Sequence, residues 1–142
     1  MSLPVTIVVA AWNSEDCITT CLEKATRQNV EAIHVIDNGS QDSTVSIIQS
    51  RFPKISLTQW AENRGFAAAM NYGIKTASSP FVFLLNDDCE LQDNDISILL
   101  EALKASPDAA SATGKLLSAQ STTPTIITSK TTGITSKILN LN

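Results

Sequence analysis

Apolar residues in this chain come in short runs, and each run stops at a polar cluster. Residues 5–11 are rich in β-branched side chains and break at Trp12-Asn13-Ser14. Residues 31–37 break at Asp37-Asn38-Gly39-Ser40, and residues 55–61 at Glu62-Asn63-Arg64-Gly65. The unbroken run Phe81-Val82-Phe83-Leu84-Leu85 ends at Asn86-Asp87-Asp88. Such runs are too short for stable helices. The last reads as a strand buried on both faces, as in parallel sheets. The third alternates loosely, includes Thr58 and Gln59, and suits an edge.

Between the runs the spacing turns helical. Asn13 or Ser14 is a candidate cap for a helix with Ile18, Leu22 and Ala25 on one face, ending near Gln28. Asp42 is placed to cap a second helix, which presents Val45, Ile48 and Phe52 and stops at Pro53. A third spans residues 66–77, with Phe66, Met70, Gly73 or Ile74, and Ala77 as its stripe; Ala67, Ala68 and Ala69 keep its first turn thin. Asp93 or Asn94 caps a fourth, with Ile96, Leu99, Leu100 and Leu103 on one face. Residues 109–117 predict a fifth strand, weakened by alanines and Gly114. Beyond Leu117, serine and threonine dominate, and Ile126-Ile127 and Ile138-Leu139 offer only strand fragments. The order predicts an α/β fold: a mostly parallel sheet, right-handed crossovers and helices on both faces. Residues 1–117 form the expected domain and residues 118–142 a tail.

Parallel strands put all four polar clusters on one rim, where open α/β sheets bind ligands. Loops are polar in any protein, which accounts for Ser and Gly. It accounts less well for a series of Asp and Asn at strand exits. Two adjacent carboxylates, Asp87 and Asp88, repel unless water, a donor or a cation relieves them. Gly39 permits a tight turn with positive φ. A nucleotidyltransferase wants a glycine-rich, basic loop after the first strand, and a phosphoacceptor domain an acidic pair there. Ala10-Ala11-Trp12-Asn13 is neither.

Composition narrows the choice. Of the 142 residues, 43% are hydrophobic, enough for a core. The net charge of −4 argues against a nucleic-acid surface and leaves an anionic ligand in need of a cation or backbone donors. No apolar stretch is long enough for a transmembrane segment, and the first residues lack a signal-peptide pattern. Three cysteines, an odd number, suit reduced thiols in a cytoplasmic protein. Cys17 and Cys21 lie four apart on a predicted helix, but His34 is the only histidine, so thiols of core or surface are expected rather than a metal site. His34 itself reads as an ordinary strand residue.

Four segments carry a family resemblance: Val-Thr-Ile-Val-Val-Ala-Ala-Trp-Asn, His-Val-Ile-Asp-Asn-Gly-Ser-Gln-Asp-Ser-Thr, Glu-Asn-Arg-Gly-Phe-Ala-Ala-Ala-Met-Asn-Tyr-Gly-Ile and Leu-Leu-Asn-Asp-Asp. In this order, at strand exits, they resemble the amino-terminal half of family-2 glycosyltransferases of GT-A fold, over roughly residues 5–117. The third segment is similar to rhamnosyltransferase-like members. The resemblance implies binding of a nucleotide-diphosphate sugar for inverting, hexosyl-type transfer to a glycan or lipid-linked acceptor, in the cytoplasm or at the inner face of a membrane. It implies that Ala11, Trp12 and Asn13 line the base pocket and that Asp37 accepts a hydrogen bond from the base. Asn63 and Gly65 border the nucleotide, and Asn86 or Asp87 faces the ribose. Asp88 matches the aspartate that reaches Mg²⁺ or Mn²⁺. A stricter motif has aspartate at Asn86. Each residue also has a plain structural role open to it: Asp37 as a turn cap, Asn63 as a turn residue, Trp12 as packing. Asn71, which matches a family asparagine, is open to a buried hydrogen bond. A general base for the acceptor is expected well beyond Asp88, but Asp108 is the only acidic residue after Pro107. A truncated or degenerate relative, inactive by itself, is therefore expected; the alternative is a non-catalytic nucleotide-binding or assembly module.

Overall fold

A computed structural model describes residues 1–117; the expected tail, with its Ile126-Ile127 and Ile138-Leu139 fragments, lies outside them. In chain order the elements are β1 (Leu3–Ala11), α1 (Ile18–Ala25) with a 3-10 turn (Thr26–Gln28), β2 (Val30–Asp37), α2 (Thr44–Arg51), β3 (Ser56–Gln59), α3 (Phe66–Thr76), β4 (Phe81–Asn86) and α4 (Asp95–Lys104). The protein is an α/β fold with a four-stranded sheet, in the order β3-β2-β1-β4 and parallel throughout. Two compact units divide it, Met1–Asp93 and a second beginning at Asn94.

The burial of one strand differs from expectation. The most buried strand is the internal β1, where Ile7, Val8, Val9 and Ala11 have no exposed surface. The run at β4 holds one side of the described sheet, so Leu84 is 48% exposed while Leu85 is buried. Its unbroken apolar character does not by itself specify a position between two strands. The looser third run does lie at the opposite edge. The fifth strand expected over residues 109–117 is absent: those residues form neither helix nor strand. Alanines and Gly114 give a strand little side chain to pack, so local preference there is weak.

The crossovers explain how helices cover the sheet. The chain steps outward from β1 to β2 to β3, then returns past β1 to β4. Right-handed connections put α1 and α2 on one face and α3 on the other. In α1, Ile18, Cys21, Leu22 and Ala25 are buried, as the spacing predicts. An exposed ion pair, Arg51–Glu23 at 2.9 Å, joins α1 to α2 and adds little in open solvent. The stripe of α3 is rotated from expectation. Ala69, Met70 and Gly73 are buried, with Val8, Ala10 and Ile36 in the same cluster for the first two, while Phe66 and Ile74 are exposed. In the second unit, α4 buries Ile96, Leu99 and Leu100.

Gly73 marks the closest approach of α3 to the sheet. A Cβ there would lie 2.2 Å from Val8 Cγ1 and 3.1 Å from Ile36 Cδ1. Alanine gains roughly 1 kcal/mol of helix propensity, but an extra methyl forced into a packed core costs roughly 1–3 kcal/mol. With Val8 fully buried, the packing term wins. Gly73→Ala is expected to lower stability by about 1–2 kcal/mol in urea unfolding; an unchanged or raised midpoint would contradict this contact.

His34 gives the fold an acid sensitivity. Its Nε2 lies 2.9 Å from Thr58 Oγ1 of β3, its Nδ1 3.2 Å from Thr76 Oγ1 of α3, and its ring meets the edge of Tyr72. Burial holds the imidazole below its ordinary value of 6.5. The unfolded chain then takes up a proton before the folded one does. This contribution is complete above the unfolded value and is lost as the pH falls toward the folded one. Thermal unfolding should shift down as pH drops below 6.5, with a shallower slope in His34→Gln. Equal slopes in both proteins would remove His34 from the account.

Candidate functional site

Registry brings the strand exits together. Ala11 of β1 sits beside Asp37 of β2, Asp37 beside Gln59 of β3, and Ala10 beside Asn86 of β4. Asp37 and the Asn86-Asp87-Asp88 turn thus share one rim. The point between β1 and β4, where strand order reverses, is where a doubly wound sheet opens a crevice. A cleft of about 230 Å³ lies there. Ala10, Ala11 and Trp12 line it from the β1 exit, Asn38 and Asn63 from the next two exits, Phe66 from the start of α3, and Asp87 from the β4 exit.

The exit loops are laced together by hydrogen bonds. Between the β1 and β2 exits, Asn13 N–H donates to Ser40 Oγ, and Gln41 N–H to Asn13 Oδ1 at 2.8 Å. Glu15 N–H donates to Asp42 Oδ2, Ser43 N–H to Glu15 Oε2, and Ser14 N–H to Thr44 Oγ1. Asp42 also accepts Thr44 N–H as α2 begins. Burial pushes the Asp42 carboxyl up, but the Thr44 hydroxyl, followed by the Thr44 and Glu15 N–H donors, outweighs it and holds the group below its ordinary range. Between the β2 and β3 exits, Asn38 Nδ2 donates to Asn63 Oδ1 at 3.1 Å, and Arg64 N–H to Asn38 Oδ1 at 2.8 Å. Gly39 allows the two loops to touch, at φ +79° with Glu62 backbone against it.

Several predicted residues are engaged inside this lacing. Asn13, at φ 49°, spends its side chain on Gln41. Asp37 is 2% exposed and accepts Ser40 N–H on both carboxylate oxygens at 3.3 Å, closing the turn; it is not among the cleft's lining residues. Asn63 Oδ1 also accepts Gly65 N–H, and Gly65 enters α3 at φ 90°. Asn86 is exposed, and its carbonyl accepts the Cys21 thiol and Cys89 N–H. Asn71 is exposed on α3, which rules against the buried hydrogen bond, one of the two roles open to it. Ala11, Trp12, Asn63 and Asp87 are brought together at the cleft; Asn13, Asp37, Gly65, Asn86 and Asp88 stand around it.

The two aspartates differ. Asp87 Oδ2 accepts Ser14 Oγ–H and Trp12 N–H, and no hydrogen bond reaches Oδ1 among the described residues. Asp88 is exposed, and its only partner there is the thiol of Cys89 at 3.7 Å. One carboxylate is therefore held, the other open. The three cysteines are free. Burial, followed by Asp87, pushes the Cys21 thiol up to about 12, and burial with Asp87 and Asp88 raises Cys17 and Cys89. Among the described residues no three His, Cys, Asp or Glu side chains form a ready-made metal cluster.

Sequence reading missed Ser14, Asn38 and Phe66 as site residues. Ser14 resembles a helix cap, yet α1 begins only at Ile18 and the Ser14 hydroxyl goes to Asp87. Asn38 stands within a cluster already singled out, but its Asp37 neighbour carries the more familiar chemistry. Phe66 fits the apolar spacing of α3, and only the rotated stripe leaves it 58% exposed at the cleft.

A parallel sheet with a polar crevice at its reversal point defines a doubly wound α/β domain. The chain belongs to glycosyl transferase family 2, whose sequence model it matches over residues 6–135. It is 32% identical over 105 residues to the succinoglycan biosynthesis protein ExoO of Rhizobium meliloti (strain 1021), covering 71% of this chain and 30% of that protein. It is 31% identical over 117 residues to the poly-beta-1,6-N-acetyl-D-glucosamine synthase of Staphylococcus aureus (strain MSSA476), covering 78% and 28%. Two solved structures share its fold. S. aureus TarS 1-349 in complex with UDP-GlcNAc aligns with a TM-score of 0.63 and 23% identity, over 74% of this chain and 32% of that one. Mannosyltransferase PcManGT from Pyrobaculum calidifontis, in complex with GDP-Man and Mn2+, aligns with a TM-score of 0.63 and 24% identity, over 72% and 33%. The chain spans about a third of the length of these relatives. Among the described residues no helix is long and apolar enough to cross a membrane.

Proposed function

We propose that residues 1–117 are the nucleotide-sugar-binding part of an inverting, hexosyl-type glycosyltransferase of polysaccharide or glycan synthesis, working on the cytoplasmic side. The observation that carries this reading is the pairing of a cleft at the β1–β4 reversal with one held and one open carboxylate. The cleft is small beside the roughly 300–1,000 Å³ of a whole-ligand pocket, so it suits one portion of a nucleotide sugar. Ala11, Trp12, Asn63 and Asp87 face the base and ribose. Asp37, Asn13, Gly65 and Asn86 set the loops and turn that shape this pocket, with Asp37 nearest the base side.

Asp88 fits a divalent cation because its carboxylate is exposed and not consumed by N–H donors. Mg²⁺ or Mn²⁺ takes one or two protein carboxylates and completes its shell with phosphate and water. When bound, the cation neutralises charge on the diphosphate leaving group. The neighbour solved with GDP-Man and Mn2+ supports a divalent ion, and the one with UDP-GlcNAc supports a nucleotide sugar.

A base for the acceptor hydroxyl is not among the residues after Pro107, where Asp108 alone is acidic. The 142-residue chain is thus expected to bind without transferring sugar, which also leaves room for a non-catalytic assembly module. Calorimetry with UDP, dTDP and GDP, each with and without Mn²⁺, tests the binding. Mn²⁺-dependent affinity for at least one is expected, and no binding of any would refute the site. Sugar transfer by this chain alone would refute the division of labour.

A further inference from the structure

We propose that Ser14 is a positioning residue that sets which oxygen of Asp87 meets the nucleotide's ribose. Ser14 is 4% exposed and sits behind the cleft, not in its lining. Its backbone N–H is fixed by Thr44 Oγ1 at 2.7 Å, which ties it to the start of α2. Its carbonyl accepts Cys17 N–H and Ile18 N–H, which ties it to the start of α1. The residue therefore has a rigid backbone, and its one remaining polar atom, Oγ, donates to Asp87 Oδ2. Trp12 N–H is shared between Ser14 Oγ at 3.1 Å and that same carboxylate oxygen at 3.3 Å.

Two donors on one carboxylate oxygen select one rotamer of Asp87. They leave Oδ1 as the acceptor without a partner, on a residue that lines the cleft. A fixed carboxylate oxygen at a cleft edge is an acceptor for a hydroxyl pair. This inference rests on the nucleotide reading of the cleft and adds a recognition rule to it: ribose hydroxyls are read through Ser14 and Asp87 in series. Without the Ser14 hydroxyl, Asp87 keeps a single donor, the Trp12 N–H it now shares with nothing, and can offer either oxygen to it while turning the other outward. The loss should fall on ligands that carry ribose hydroxyls and spare those that do not.

The test compares two ligands on the full chain with Mn²⁺. One is whichever of UDP and GDP, the two with both ribose hydroxyls, binds the wild type more tightly; the other is its 2′,3′-dideoxy counterpart. Ser14→Ala is expected to weaken the parent diphosphate about tenfold, the scale of one hydrogen bond to a charged group, and to leave the dideoxy ligand within about twofold. Ser14→Cys keeps the buried volume with a weaker donor and should show the same selective loss, so a cavity or a folding defect in the alanine variant does not decide the result. In Asp87→Ala the further change Ser14→Ala should cost nothing more, since the two act as one unit. Equal weakening of both ligands, no weakening of either, or additive losses in the double variant would overturn the proposal. Failure of the wild type to bind any of UDP, dTDP and GDP would overturn the nucleotide reading first, and is seen before any variant is made.

Discussion

Asp88→Ala is expected to abolish the Mn²⁺ dependence of nucleotide binding while leaving the fold intact. Asp88 is exposed and makes no internal bond beyond the Cys89 thiol, so its removal leaves no donor buried and unpaired. Surface changes of that kind move stability by less than about 0.5 kcal/mol. Affinity is another matter. The chain carries a net charge of −4, and Asp87 already stands at the cleft. A diphosphate approaching it meets repulsion that a cation relieves. Even an outer-shell partner of a metal ligand is worth roughly 10–100-fold in metal affinity, so loss of a direct carboxylate should cost at least that. Calorimetry with and without Mn²⁺ reads the effect. The same affinity in Asp88→Ala and wild type, with the same response to Mn²⁺, would place the cation elsewhere. Asp87→Ala is a contrast, since it also strands the Ser14 hydroxyl, which is part of the buried lacing.

The second large effect concerns Gly39, where stability and site are joined. A Cβ at this position would stand 2.6 Å from Glu62 C, 2.8 Å from Glu62 Cα and 2.9 Å from Asn63 N. All three are backbone atoms, so no rotamer change relieves the contact. The left-handed conformation costs an ordinary residue roughly 1–2 kcal/mol, and overpacking roughly 1–3 more. Gly39→Ala should therefore lose about 2–5 kcal/mol in urea unfolding, a large share of the 5–15 typical of a domain. It should also separate the β2 and β3 exits, break the Asn38–Asn63 bond and weaken nucleotide binding. Gly39→Asn discriminates between the causes. Asparagine tolerates positive φ, so near-wild-type stability in that variant would show that conformation alone matters and that the loops do not touch.

Local patterning made the element types legible. β-Branched and aromatic runs, each closed by polar residues, identify β1 to β4, and the spacing of Ile18, Leu22 and Ala25 identifies α1 and its buried face. The position of each strand was less legible. An apolar run of five residues has the same sequence whether it lies at a sheet's centre or its side, so β4 reads as doubly buried although Leu84 is half exposed. Weak strand formers at residues 109–117 show the opposite limit, because their pairing depends on neighbours that sequence spacing does not supply.

Roles within the site divide along the same line. Acidic and amide residues at the ends of parallel strands must collect on one rim, since every crossover returns the chain to the same starting edge. That much follows from the amino-acid order, and Asp37, Asn63 and the Asn86-Asp87-Asp88 turn could be named from it. Which side chains are spent internally depends on contacts between residues far apart in the chain. Asn13 turns to Gln41, Asn38 to Asn63 and Ser14 to Asp87, across separations of 28, 25 and 73 residues. Hydrogen bonding is short-ranged and directional, so only the folded arrangement decides that Asp87 is held and Asp88 is open.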